Sequence, residues 1–215
     1  MSTEHSGIAS PAPAGLVALA VACFTFFAIL SGNVGHTAIP LLACWLIGGF
    51  VIQIVVAVIE LKEGNLLGGN VFLFFSAFFM LVGGLEFIVK AYFGTVHGNP
   101  IDARIDGWAW LPLLITLIMW TFAYLKKAPM VMGLLVLLLD VGVFFITFID
   151  LGLLPKSLSP VCAYFILGGG FCALYVSSAI ILNTTFGRTI LPMPGPILSS
   201  AYGAPVLPVP SPATK

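Results

Sequence analysis

Six stretches of this 215-residue chain are apolar enough and long enough to cross a lipid bilayer, and all of its charged residues except Glu60, Glu86 and Asp140 lie outside them. The runs are Gly15–Leu30, Ala38–Leu61, Leu66–Val89, Trp108–Leu125, Met130–Ile149 and Pro160–Asn183. A hydrocarbon core needs about 20 residues of helix, with a range of 17–25. No run alternates apolar and polar residues as a membrane β-strand must, so the backbone has to satisfy itself in lipid as helix. Charged residues make up 7% of the chain, against about 25% in soluble domains. The expected fold class is therefore an all-α membrane protein with six transmembrane helices per protomer. Lys62-Glu63-Gly64-Asn65 alone separates the second and third runs and reads as a tight antiparallel hairpin.

The same composition excludes several functions. Eight basic residues balance eight acidic ones, so no basic stripe exists to hold a nucleic acid, and none is expected as a partner. Cys23, Cys44, Cys162 and Cys172 sit singly in apolar runs with no C-x-x-C spacing, which reads as small apolar packing and not as a metal site. His5, His36 and His97 fall in loops or the N-terminal segment, and no Ser–His–acid arrangement emerges, so an enzyme is not expected. Gly168-Gly169-Gly170 lies inside an apolar run without the Lys-Ser/Thr that would follow in a phosphate loop. Neither a cofactor nor a metal is implied.

Residues 1–13 carry no Lys or Arg and no cleavage pattern follows Leu30, so the first run reads as a membrane helix and not as a signal peptide. The chain divides into an N-terminal segment (1–13), a six-helix transmembrane domain (14–191) and a Pro-rich tail (192–215). Seven of the fifteen prolines lie from Pro192 onward, so the tail is expected to be extended and mobile. With the N-terminus inside, Lys62, Lys126, Lys127, Arg188 and Lys215 fall on the cytoplasmic side and Lys90, Arg104 and Lys156 on the other. That bias favours a multi-pass cell-membrane protein with both termini cytoplasmic.

Three sequence blocks carry a family resemblance. Ser10-Pro11-Ala12-Pro13-Ala14-Gly15-Leu16 stands directly before the first run. Gly48-Gly49, Gln53, Glu60, Gly64-Asn65, Gly68 and Phe72 follow one another across the second and third. Phe186-Gly187-Arg188-Thr189-Ile190-Leu191-Pro192 closes the sixth. In this order they resemble the acetate uptake transporter family, the YaaH-like succinate–acetate permeases. The resemblance implies a ring of six-helix protomers, a homohexamer in similar proteins, each with its own path for a small carboxylate. It also implies a three-residue constriction of that path, which counting from the motifs places at Leu19, Phe75 and Leu138, with Leu139 the neighbouring option. Leu19 stands where the family has Phe and Phe75 where it has Tyr, so the constriction here is wholly apolar.

A carboxylate needs donors to replace water in a low-dielectric path. Pro11 and Pro13 stiffen the start of the first helix, and its free N–H groups at Gly15–Val17 offer an anion such donors; the plain alternative is that Ser10 to Leu16 only begins a membrane helix. The vestibule is therefore expected to include Ser10, Pro11, Pro13, Gly15 and Leu16, with Gln53 and Asn70 as hydrogen-bonding side chains along the path. Asp140 and Glu60 are candidates for a proton-linked role, because ionisable groups at membrane depth are functional by default. An interhelical role is the alternative for Asp140. Glu86 and Lys90, four apart, should pair near the interface. The reading that follows is a channel or transporter, passive or proton-coupled, for acetate and similar short monocarboxylates, with succinate a further candidate. A non-transporting sensor or scaffold, or a channel for a neutral solute such as ammonia, remains the alternative that an apolar constriction would suit.

Overall fold

The computed structural model describes residues 9–98 and 101–198. Six helices long and apolar enough to span a membrane account for the fold: α1 (Ala12–Leu30), α2 (Ile39–Lys62), α3 (Leu66–Gly94), α4 (Arg104–Lys127), α5 (Met130–Asp150) and α6 (Ser159–Phe186). No strand occurs among the described residues. Each helix packs beside its sequence neighbours, α6 returns to α1, and the seam between α3 and α4 is the thinnest. The result is an up-and-down ring of helices with a near end, where α1 begins, and a far end, where α1 finishes. The multi-pass membrane architecture expected from the six apolar runs is the observed one.

Helix contacts in lipid depend on small residues that let backbones approach. The α1–α6 contact uses Ala20 and Cys23 on one side and Gly170 and Ala173 on the other, all buried. A Cβ at Gly170 would come within 2.8 Å of the Cys23 Cβ. Ser177 Oγ fastens the same contact by donating to the Pro13 carbonyl at 3.0 Å. In the α2–α3 hairpin, Gly64 takes φ +81°, which a residue with a side chain rarely adopts. The Asn65 side chain caps α3 by accepting from the Gly68 N–H at 3.1 Å. Gly64 and Gly68 therefore shape the turn. The close approach of α2 to α3 lies instead at Gly69, where a Cβ would sit 2.6 Å from Leu61 Cγ.

Midway along α3, Phe75–Val82 winds as a π-helix. Such wide turns are uncommon and concentrate at functional sites. Here the five-residue step turns both Phe75 and Met80 into the bundle, and Met80 meets Gly49 of α2. The thin α3–α4 seam is held by aromatic contacts along its length and by an ion pair at the far end. Phe74 packs edge-on against Trp120, with centroids 5.5 Å apart. At the far end Lys90 pairs with Glu86 of its own helix at 3.2 Å and with Asp106 of α4.

The segment after α6 departs from expectation. Pro192–Leu198 is not a free tail: it crosses back over the α4–α5 turn, and its Pro194 carbonyl accepts from Met130 N–H (3.0 Å) while Leu198 N–H donates to the Leu125 carbonyl (2.9 Å). These are helix-end groups with no partner inside their own helices, so the segment supplies what the turn lacks. Asn183 clamps it, accepting from the Ile190 and Leu191 N–H groups and donating to the Leu191 carbonyl. Residues 1–8 and the tail from 199 onward lie outside the described residues.

Candidate functional site

The ring of helices encloses a cavity of about 310 Å³. Every helix contributes to its wall: Leu16 and Leu19 from α1, Gln53 and Glu60 from α2, Val71, Phe72 and Phe75 from α3, Leu117, Tyr124 and Lys127 from α4, Leu135 and Leu139 from α5, and Ile180 from α6. All of these come from the half of each helix nearest the near end. A second cavity of about 50 Å³ is lined from the far halves, by Cys23, Phe26, Phe79, Trp110, Val143 and Ile166 among others. Leu19, Phe75 and Leu139 line both. They form a neck at mid-depth, with the large cavity on one side and the small one on the other.

Polar groups enter the large cavity in a graded order. At its mouth Glu60, 4% exposed, has both carboxylate oxygens held: Ser10 Oγ donates to Oε1 at 3.1 Å and Asn65 Nδ2 donates to Oε2. Lys127 and Tyr124, on one face of α4, line the same end. Seven residues before Glu60 on α2, and so about 10 Å deeper at 1.5 Å per residue, lies Gln53. It is 1% exposed and its Oε1 has no hydrogen-bond partner among the described residues. Beyond it the wall is apolar down to the neck.

Sequence comparison decides where this arrangement belongs. The sequence profile of the GPR1/FUN34/yaaH family matches residues 1–195. The chain belongs to the GPR1/FUN34/yaaH family. Among solved structures it is similar to the bacterial acetate channel SatP, with 21% identity and a TM-score of 0.74 over 86% of this chain and 99% of that one. At that identity the likeness speaks for the fold. No curated protein matches the sequence.

In this GPR1/FUN34/yaaH protein the residues singled out from sequence separate into those that reach the cavity and those that do not. Leu16, Leu19, Gln53, Glu60 and Phe75 line it. Leu138 does not: it turns toward α6, where a Cβ at Gly168 would lie 3.2 Å from its Cδ1, and the neck position belongs to Leu139. One residue along a helix is a rotation of about 100°, enough to exchange the interior for a helix contact. Asn70 likewise lies off the wall, its Nδ2 donating back to the Leu66 carbonyl at 2.7 Å.

The start of α1 holds no free cluster of donors. Ala14 N–H donates to the Pro11 carbonyl at 3.0 Å, Gly15 N–H to the same oxygen at 3.4 Å, and Pro13 has no N–H. Ser10, Pro11, Pro13 and Gly15 are not on the wall. Gly15 instead admits a neighbour, since a Cβ there would meet Phe72 Cε1 at 2.7 Å and Val56 Cγ1 at 3.2 Å. The proline motif therefore shapes the wall from behind by letting Phe72 seat against α1. Asp140 sits between α4 and α5, where Thr121 Oγ1 donates to its Oδ2 at 2.7 Å, and is absent from both cavity walls.

Sequence reasoning missed Tyr124, Lys127 and Trp110, and held Leu139 only as the second option to Leu138. A usable signal existed for α4, because Leu117, Tyr124 and Lys127 stand at i, i+7 and i+10, one face of a helix. Nothing local marks Trp110 as interior; the bulge in α3 brings Phe79 against it, with centroids 5.8 Å apart.

Proposed function

We propose that the protein is a membrane channel or transporter for acetate and similar short monocarboxylates, moving them between its near and far ends through the neck of Leu19, Phe75 and Leu139. The observation that carries this reading is the interior path itself. A 310 Å³ chamber with polar side chains at its mouth, walled by all six helices, narrows to three apolar residues shared with a second chamber. That volume admits a solute of a few heavy atoms together with water, and the SatP acetate channel shares the fold. Movement is passive or proton-coupled, with Glu60 at the mouth the candidate for a proton-linked role, and succinate is a further candidate solute. The chain acts as no enzyme in this reading.

The protomer is proposed to assemble as a ring-shaped homohexamer, consistent with a belt of exposed apolar side chains such as Trp45, Tyr164 and Phe171, and to sit with both termini in the cytoplasm. Labelled acetate uptake into proteoliposomes, with and without an imposed pH gradient, tests the function. Uptake above that of protein-free vesicles is expected, and its absence under every gradient sides with a sensor or scaffold. Light scattering of the detergent-solubilised protein tests the hexamer.

A further inference from the structure

Gln53 is the deepest polar side chain on the wall of the large cavity, and it is the one there that carries a fully buried polar atom without a hydrogen-bond partner. It lines the chamber, is 1% exposed, and its Oε1 finds no donor among the described residues. A buried acceptor without a donor costs stability, so its retention on the path of a solute points to a partner that arrives from the chamber. The chemistry of the carboxamide narrows what that partner is. Its oxygen only accepts and its NH₂ only donates, side by side in one plane. A carboxylate ion can accept from the NH₂ but sets an oxygen lone pair against Oε1. An undissociated carboxylic acid satisfies both atoms at once, its O–H donating to Oε1 and its carbonyl accepting from Nε2–H. A primary amide has the same pair of groups in the same geometry.

The charges around the chamber agree with an uncharged guest. Glu60 and Lys127 both stand at the near end, leaving no cation on the wall at the depth of Gln53 to balance an anion, and the neck beyond is apolar. We propose that Gln53 reads solutes in this chamber and selects uncharged groups that carry a donor and an acceptor side by side, so that short primary amides enter the same path as undissociated monocarboxylic acids. The inference rests on the transport reading above and names the chemical form the path takes.

Two isomers of one formula test it. Propionamide is a primary amide with donor and acceptor on the same side. N-Methylacetamide has equal mass, but its trans amide bond puts N–H and C=O on opposite sides and cannot pair with both Gln53 atoms. Swelling of proteoliposomes holding the full chain is followed by stopped-flow light scattering for each isomer, after subtraction of protein-free vesicles. Propionamide is expected to enter about tenfold faster, the factor that one hydrogen bond is worth. In Gln53→Met that preference disappears and acetate uptake falls by a similar factor; should this variant fail to fold, Gln53→Asn, which withdraws the carboxamide by one methylene, replaces it. Equal entry of the two isomers into wild-type vesicles overturns the inference, as does a preference that survives both variants. Acetate uptake without isomer preference removes the role of Gln53 and leaves the transport reading standing, whereas propionamide entry without acetate uptake does the reverse.

Discussion

The near and far halves of this bundle are built from the same six helices, yet they place their polar residues in opposite ways. In the near half Gln53, Glu60, Tyr124 and Lys127 turn inward onto a 310 Å³ chamber. In the far half the ionisable groups Glu86, Lys90 and Asp106 fasten α3 to α4, and the chamber there is about 50 Å³ with an apolar lining. The difference follows from how each half is held. Near the start of α1 the hairpin cap at Asn65 and the folded-back segment at Pro192–Leu198 tie the helix ends through backbone groups, which leaves side chains free to face the interior. The far end has a thin α3–α4 seam, and its charges are used to close it. Polar side chains thus face the chamber in one half and close a joint in the other, and Glu60 does both, lining the chamber while it ties Ser10 to Asn65.

The largest effect is expected from Gly15→Val. With Phe72 Cε1 only 2.7 Å from where a Cβ would be, the wall between α1 and α3 must shift, at a cost of about 1–3 kcal/mol or more. Acetate uptake should fall to background with a visibly lower melting temperature; retained uptake would show that the near chamber does not depend on this contact. Next is the neck. Leu139→Ala removes a shared wall of both chambers and should let larger monocarboxylates such as butyrate through several times faster, while destabilising the bundle by about 2–3 kcal/mol. Leu138→Ala, one residue away, should leave size selection unchanged. If the two variants exchange behaviour, the neck is misassigned.

Lys90→Met examines the far half as a joint. It leaves the nearly buried Asp106 without its cation and should cost about 1–2 kcal/mol, discounted because Lys90 is partly exposed, with little change in the uptake rate of the folded fraction. Loss of uptake without loss of stability would put this cluster on the path and erase the contrast between the halves. Asp140→Asn keeps an acceptor for Thr121, so uptake at acid and neutral pH should match wild type; a selective loss at one pH would give Asp140 a proton-linked role. The smallest effect belongs to the exposed loop before α4. The Arg104 guanidinium holds the Asp102 carboxyl down at about 2, below its usual value near 3.9. The sign is that of a depressed acid: the pair is fully present above about pH 4 and is lost as pH falls through 2. Asp102→Asn should leave uptake and melting temperature at neutral pH unchanged, and carboxyl NMR should place the midpoint near 2.

The span expectations and the helices agree to within a few residues, because a bilayer imposes one requirement, internal backbone bonding over about 20 apolar residues, that each segment meets alone. Counting from Glu60 and Asn65 reaches Phe75, which lies on the wall of both cavities, and the hairpin between the two reference residues is short and capped. Leu138 failed by one position. Its count starts at the Lys126 turn, 12 residues away, and a rotation of about 100° per residue leaves no margin over that distance. Asn70 failed because a polar side chain in lipid can satisfy itself on its own helix, a choice that leaves no trace in spacing.

What the sequence determined by itself, then, is that the chain lies in a membrane as six helices, that its α2–α3 hairpin is tight, and which family its three motifs resemble; apolar length and turn residues act locally and are readable one segment at a time. Only the tertiary structure decided which face of each helix looks inward. It put Leu139 and not Leu138 at the neck, gave the proline motif a packing role through Gly15, widened α3 so that Phe75 and Met80 both face the bundle, and folded Pro192–Leu198 back over the α4–α5 turn. The helices are hydrophobic on all sides, since lipid and protein interior are equally apolar. Apart from Gln53 and Glu60 on α2 and Tyr124 and Lys127 on α4, few polar residues mark the inward face, and it is set by the fit of one helix against the next.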